Sequence, residues 1–457
     1  MIAGLQALNE AQANQIVTMN QLIAALQAEV GLLKKNAPQT VKKNSNNSHT
    51  PPSKDENRPR KNQSLREPTD RKAGGQPGHQ GTTLECRSQV DETIKHSPDK
   101  CGGCGHHLGN HPEELVSTRQ LIDIPTIVLK CIEHQVFKKQ CSCGHTTVSD
   151  FPRHVANPVQ YGPNVESLVG YLHARQYLPY GRTKEFLNDV MGLPISTGGI
   201  HNILQRMAQK ALPMYNAIKE KTEQATCVGA DETGININGK NHWAWTWQND
   251  KLTYIVCAAS RGFKTIEATF EKGLPNATLI HDRWPCHFQM HAKAHQICTA
   301  HLLRDLNYIN ELYEDKCKWA TAFKALLQEA IVLKKQLTTA GYYYPNIKRQ
   351  SLFERLDQWL LYPIDEQYKK SKKLQKKLLA KRDCILYFLL QSDVLPDNNG
   401  SERAIRNIKV KQKISGQFKT LESANLFAIL RSVIDTTIKN GQNVLNALKL
   451  IANFGTE

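Results

Sequence analysis

The spacing of apolar residues changes after Ala225, and that change does most to limit the folds open to this chain. From Tyr161 to about Thr222 the pattern is helical. The stretch "TCVGADETGININGKNHWAWTWQNDKLTYIVCAAS" instead holds three β-rich runs, and Asn238-Gly239 is a strong two-residue hairpin signal between the first two. A helix from about Thr265 follows, then another apolar strand, "ATLIHD". After "HQICTAH" a long Lys-, Leu- and Gln-rich helical stretch runs to about Leu390, and the tail from Asn399 to Phe454 is again helical. Strands framed by helices on both sides predict an α/β arrangement.

The N-terminal part is built differently. Between Met1 and about Asn36, Ile16, Met19, Ile23, Leu26, Val30 and Leu33 recur at alternating steps of three and four, one seam of a helix. The seam suits a short coiled coil between protomers, or else packing on the same chain. Residues 37–83 are rich in Asn, Ser, Pro, Gly, Lys and Arg, with almost no bulky apolar side chains. They read as a flexible basic linker, either a solvated tether or a segment lying along a phosphate backbone. Residues 84–152 form a cysteine-bearing unit. Within residues 153–222, "YGRTKEFLNDVMGLPISTGGIHNILQRM" predicts one helix, a break at Gly192–Pro194 and a second helix from near Ser196. Such a pair is either a helix-turn-helix reading a major groove or an ordinary core pairing.

The charge balance narrows the partners. Among 457 residues, 59 Lys and Arg face 42 Asp and Glu, a net charge of +17 that suits a polyanion, either nucleic acid or an anionic membrane. No run of about 18 apolar residues occurs, and the start lacks a charged segment followed by an apolar core. Nucleic acid and a cytoplasmic setting are therefore expected, with no membrane span. The 12 cysteines then read as thiols or metal ligands.

Three acids stand where strands or helices begin or end. Asp231 follows "TCVGA", Asp282 ends "ATLIHD", and Glu402 opens the C-terminal helical region in "DNNGSERAIRNIK". Carboxylates from neighbouring strands can chelate a hard cation such as Mg²⁺. Each acid alone could equally be a turn or cap residue, with Ser401 or Asn399 capping the last helix, and spacing does not choose these three among 42 acids. Arg403, Arg406, Lys409, Lys411, Lys413 and Lys419 give that helix a basic face, which is either solvated or in contact with phosphate. Cys101-Gly-Gly-Cys104 and Cys141-Ser-Cys143 supply four thiolates, enough for a closed structural zinc site, with His106, His107 and His145 as alternative ligands. Cys86 and Cys131 read as ordinary thiols. Cys298 and His301, spaced Cys-x-x-His, are too few for a zinc site and suit packing or a helix start.

The blocks "GADETGININGKNHWAWTW", "HQICTAHLLRDL" and "NNGSERAIRNIKVKQKISGQF" resemble, in order, those of the insertion sequence 66 family of bacterial transposases. "GGQPGHQGTTL" and "NSNNSHTPPSKD" resemble that family's N-terminal linker. The resemblance implies a ribonuclease-H-like catalytic domain over residues 223–412, with a helical insertion at about 303–390 and a C-terminal helical region at 413–457. It implies a catalytic triad of Asp231, Asp282 and Glu402 holding Mg²⁺ or Mn²⁺, with Glu232 and Asp305 as the nearest competitors. The family's second acid commonly sits in an "SDGY"-like block, whereas this chain has "HDRWPCHF", so Asp282 matches by position and strand context alone. The resemblance also implies a zinc-finger-like module on the two cysteine pairs, and double-stranded DNA, at element ends and target, as the partner. Protomers would pair, with element-encoded accessory proteins as further partners. The function implied is strand cleavage and transfer; the alternatives are a non-catalytic DNA-binding regulator and a structure-specific nuclease.

Overall fold

The computed structural model describes residues 15–27, 43–44, 47–48 and 84–454, apart from 126 and 153. Most of the linker expected at 37–83 lies outside the described residues, as do Val30 and Leu33 of the N-terminal seam. The chain divides into two compact units, Arg60–Glu133 with Phe186–Pro194 on one hand and the remainder on the other.

Residues 15–27 form a helix, α1. The seam residues within it, Ile16, Met19, Ile23 and Leu26, stay about half exposed, at 51–59%. Residues 84–125 carry no regular strand or helix, and nearly every side chain there is exposed. A short hairpin, β1 (Lys138–Gln140) with β2 (Thr146–Val148), follows in the larger unit.

The helices foreseen after Tyr161 are α2 (Pro163–Gly170), which continues into a π-helical turn at Tyr171–Arg175, then α3 (Tyr180–Met191), α4 (Thr197–Lys210) and α5 (Leu212–Glu223). Gly192 ends α3 in a left-handed conformation, φ 61°, which only glycine takes cheaply. Ser196 caps α4 by accepting the Gly199 N–H at 2.9 Å. One face of α4 is buried through Ile200, Ile203, Leu204, Met207 and Ala208, while Thr197, Gly198, Asn202, Gln205 and Gln209 remain exposed.

The sheet begins where the apolar period changes. β3 (Cys227–Ile237) turns through Asn238 and Gly239, both with positive φ, into β4 (Lys240–Gln248), the turn that Asn-Gly favours. β5 (Thr253–Ala258) and β6 (Leu274–His281) follow, separated by α6 (Phe263–Thr269). α7 (Pro285–Gln289) then leads to β7 (Ala292–Ile297). The strand order is β5-β4-β3-β6-β7. β4 runs antiparallel to both neighbours, while β6 is parallel to β3 and to β7.

From β7 the chain passes into α8 (Thr299–Leu312), α9 (Lys318–Gln336), α10 (Ile347–Leu361) and α11 (Lys369–Leu379). These helices share an apolar core that includes Leu306, Trp319, Phe323, Leu356 and Phe388. Lys334 anchors the segment that leaves the bundle by donating to the carbonyls of Phe388, Gln391 and Ser392 at 2.9–3.0 Å. The chain returns to the sheet as α12 (Asn399–Ser415), α13 (Leu421–Lys439) and α14 (Val444–Asn453). α13 lies along β5, an edge strand whose free amides would otherwise invite another strand. Its side chains take those amides: Thr253 N–H donates to Thr436, Ile255 N–H to Ser432 and Cys257 N–H to Asn425, at 3.0–3.1 Å. No helix among the described residues is long and apolar enough to cross a membrane.

Candidate functional site

Successive strand residues point to opposite faces, so Gly229, Asp231 and Thr233 share one face of β3 while Ala230 and Glu232 share the other. Asp231 stands within β3 and not at its end, because the strand runs on through "TGINI". The parallel ladder, however, closes with Gly229 opposite Ile280. Two residues further along β3 stands Asp231, and two residues beyond Ile280, just past the end of β6, stands Asp282, so the register brings both acids to the same level of the sheet. The Asp282 carboxylate accepts the Trp284 N–H at 2.8 Å, which turns the chain sharply after β6.

Glu402 arrives from the other end of the chain. It occupies the first turn of α12, where helix dipoles favour a negative charge. The N-cap is Asn398, neither of the two residues anticipated from the sequence. The Glu402 Oε1 atom is shut off from solvent without a hydrogen-bond donor. His301 Nε2 and Arg304 Nη1, both on α8, each lie 3.7 Å from it. No ion pair joins Glu402 to Arg406 among the described residues; α8 instead supplies the Arg304 cation, with the His301 ring beside it.

The three acids share one electrostatic field. Burial, then the charges of Glu232, Asp282 and Glu402, push the Asp231 carboxyl well above the ordinary carboxylate range. Among the described residues, no three of His, Cys, Asp or Glu are gathered closely enough to hold one metal ion. The acids feel each other without converging on a point. Hard oxygen donors, an excess of negative charge around Asp231 and an unsatisfied buried Glu402 oxygen suit a divalent cation of the Mg²⁺ type.

The two competing acids are differently placed. Glu232, on the opposite face of β3 from Asp231, is buried and gripped by Arg261 at 2.7 Å and by His287 at 2.9 Å. Burial would raise its carboxyl, but the His287 and Arg261 contacts win and hold it below the ordinary value. Arg261 is itself stacked between Trp243 and Trp284, 4.7 and 3.8 Å from the ring centres. Asp305 is paired with Arg283. Neither Arg261 nor His287 stands out in the sequence, because their bonds to Glu232 span 29 and 55 residues.

The basic face of α12 needs one correction. Arg403, Arg406, Lys409 and Lys413 are exposed, but Lys411 is buried, at 4% exposure. Its ammonium donates to Ser415 Oγ at 2.8 Å and lies 3.4 Å from His173, and burial lowers it to about 8. The reason is helical period: Lys411 follows Ile408 and Ala404 on the apolar face.

Each cysteine pair forms its own tight turn. The Cys101 carbonyl accepts the Gly105 N–H, and the Cys141 carbonyl accepts the Gly144 N–H, both at 2.9 Å. Gly105 and Gly144 have φ of 74° and 86°, the left-handed geometry such a knuckle needs. Hydrogen bonds from Cys104 and then Gly103 lower the Cys101 thiol, and those from Cys143 and Ser142 lower the Cys141 thiol, favouring the thiolate that binds metal. Cys298 is the opposite case: buried, with its thiol pushed up to about 11, it accepts the Asn398 N–H at 3.2 Å.

The mixed sheet and the helix that returns to it bring Asp231, Asp282 and Glu402 into one electrostatic neighbourhood, and a sequence comparison gives the chain its family. The sequence profile described as Transposase IS66 family matches residues 158–426, more than half of the chain. The chain belongs to the IS66 transposase family. A second profile, a family of unknown function (DUF6444), matches residues 4–85. No curated protein matches the chain. Family membership supports a transposase role and implies binding to DNA.

Proposed function

We infer that this protein is an active transposase that binds the ends of a mobile element and cleaves and joins DNA strands at Asp231, Asp282 and Glu402. The observation that carries the reading is the β3–β6 register, which sets Asp231 and Asp282 at one level of the sheet, where Asp231 also feels the charge of Glu402. A protein that only bound DNA would gain nothing from clustered carboxylates beside phosphates. The strand order β5-β4-β3-β6-β7, with β4 alone reversed, supports a ribonuclease-H-like core.

Asp231 and Asp282 would hold Mg²⁺ or Mn²⁺ from the sheet, and Glu402 from α12. The bound cations supply activation of the attacking hydroxyl and stabilisation of the leaving oxygen. The protein's own part is positional. α8 sets His301 and Arg304 beside Glu402, and the Glu232–His287–Arg261 group packs beneath the strand that carries Asp231. Arg403, Arg406, Lys409 and Lys413 would line the DNA phosphates next to the acids. The cysteine knuckles would offer thiolates to structural Zn²⁺, α3 and α4 would read the element ends, and the half-exposed α1 seam would join protomers as a coiled coil.

The test is a strand-transfer assay on the full chain with labelled element ends, taken from the inverted repeats flanking the gene, in Mg²⁺ or Mn²⁺. Joined product is expected. Hydrolysis without joining would leave a nuclease, and neither product with intact DNA binding would leave a regulator.

A further inference from the structure

The place of Glu402 beside the acids of the sheet depends on how the start of α12 is held, and the loop before it is already tied to α8, where the Thr299 N–H and hydroxyl donate to the Pro396 carbonyl at 2.9 and 2.8 Å. The structure supplies a polar clamp there. The Asn398 side-chain amide donates to the carbonyl of Ala230, the residue preceding Asp231, at 2.7 Å. Its oxygen accepts the Ser401 hydroxyl at 2.6 Å. Gln248 of β4 donates to Ser401 at 3.3 Å and accepts from Lys439 at 2.8 Å. The backbone N–H of Asn398 donates to Cys298 Sγ, at the foot of the helix that bears His301 and Arg304. Asn398 and Ser401 are 3% and 0% exposed, so these bonds are made out of reach of water.

We propose that Asn398 is a positioning residue, which with Ser401 ties the first turn of α12 to β3 and so fixes the Glu402 carboxylate relative to Asp231. The clamp closes directly on both sides: one bond ends on the residue before Asp231, and the other begins one residue before Glu402. Two glycines make room for it. A side chain at Gly229 would meet Asn398 Oδ1 at 2.6 Å and Ser401 Oγ at 2.8 Å, and one at Gly400 would meet Gln248 at 2.5 Å. The Cys-x-x-His motif thereby gains a part without metal, its sulfur anchoring the loop and its histidine facing Glu402. The proposal rests on the reading of Glu402 as a metal ligand.

The test uses the full chain as Asn398→Ala, Ser401→Ala and Glu402→Gln, with circular dichroism and urea midpoints to confirm folding. Mn²⁺ binding, followed by electron paramagnetic resonance without DNA, is the readout independent of activity. Both clamp variants should bind Mn²⁺ about 10-fold more weakly and need correspondingly more metal for half-maximal cleavage. A purely structural role would lower the urea midpoint and leave the metal dependence alone. Should Asn398→Ala fail to fold, Ser401→Ala, which removes a single oxygen, decides. Folded clamp variants with wild-type Mn²⁺ affinity, beside a Glu402→Gln that has lost it, would overturn the clamp and keep the triad. A Glu402→Gln that binds Mn²⁺ as the wild type does would remove the triad reading, and the clamp with it.

Discussion

Gly229 of β3 lies directly opposite Gln248 of β4, and a Cβ at position 229 would stand 2.8 Å from the Gln248 amide nitrogen. The same Cβ would press on Asn398 and Ser401, so the absence of a side chain here is what lets α12 start against the sheet. Gly229→Ala is predicted to cost about 1–3 kcal/mol, as overpacking of a filled site does. Urea denaturation measures the loss. An unchanged midpoint would show that the loop yields without cost.

DNA binding should depend on the exposed cations of α12 and not on the buried one. Arg403→Ala and Arg406→Ala are each predicted to weaken binding to all sequences. Each should also flatten the plot of log affinity against log salt by about 0.9 for every phosphate the side chain neutralises. Lys411→Met should leave that slope unchanged, because its ammonium is enclosed beside His173 and Ser415. Titration of labelled DNA across a salt series checks both. An equal effect of all three variants would contradict the orientation of the helix.

Acid should destabilise the larger unit through its buried histidines. Burial, then the nearby Lys411, lowers His173 to about 3 from its ordinary 6.5. Between those values the unfolded chain binds a proton that the folded chain refuses. Stability therefore falls as pH drops from about 6.5 towards 3, by up to about 1.4 kcal/mol per pH unit for one such group. His281, buried with His287 and His295 beside it, is lowered as well and acts in the same direction. Urea midpoints from pH 7 to 4 for wild type and His173→Gln should diverge, with the variant less sensitive. Parallel curves would remove His173 from the account.

The cysteine knuckles predict metal content. The purified chain should carry about one zinc, and Cys101→Ser or Cys141→Ser should lose most of it. Elemental analysis decides: a zinc-free wild type, or full zinc in both variants, would contradict zinc binding by these cysteines. Strong chelation should also render residues 84–152 more sensitive to protease, since few of their side chains are buried.

What the sequence revealed was local, and what it hid was spatial. The Asn238-Gly239 turn, the strands around it and the break at Gly192 are encoded within a few residues, and each stands where the pattern put it. The continuation of β3 past Asp231 follows from the Asn238-Gly239 turn, although "DETG" carries few of the usual strand residues. Neither Glu402 nor its supports could be chosen from spacing. Asn398 meets Ala230 across 168 residues, and only family resemblance selected Glu402 among the acids. The inward turn of Lys411 was legible in the period of Ala404 and Ile408, a signal outweighed by the run of charges around it.

The central claim is that Asp231, Asp282 and Glu402 act as one site, and Glu402→Gln tests it most directly. Gel-shift and cleavage assays on the same element-end DNA, in Mg²⁺, are read side by side for wild type and variant. The account predicts wild-type DNA binding with cleavage lowered by about 10²-fold or more, the loss expected when a group acting on the reacting centre is removed. Metal-dependent cleavage by Glu402→Gln at the wild-type rate would contradict it.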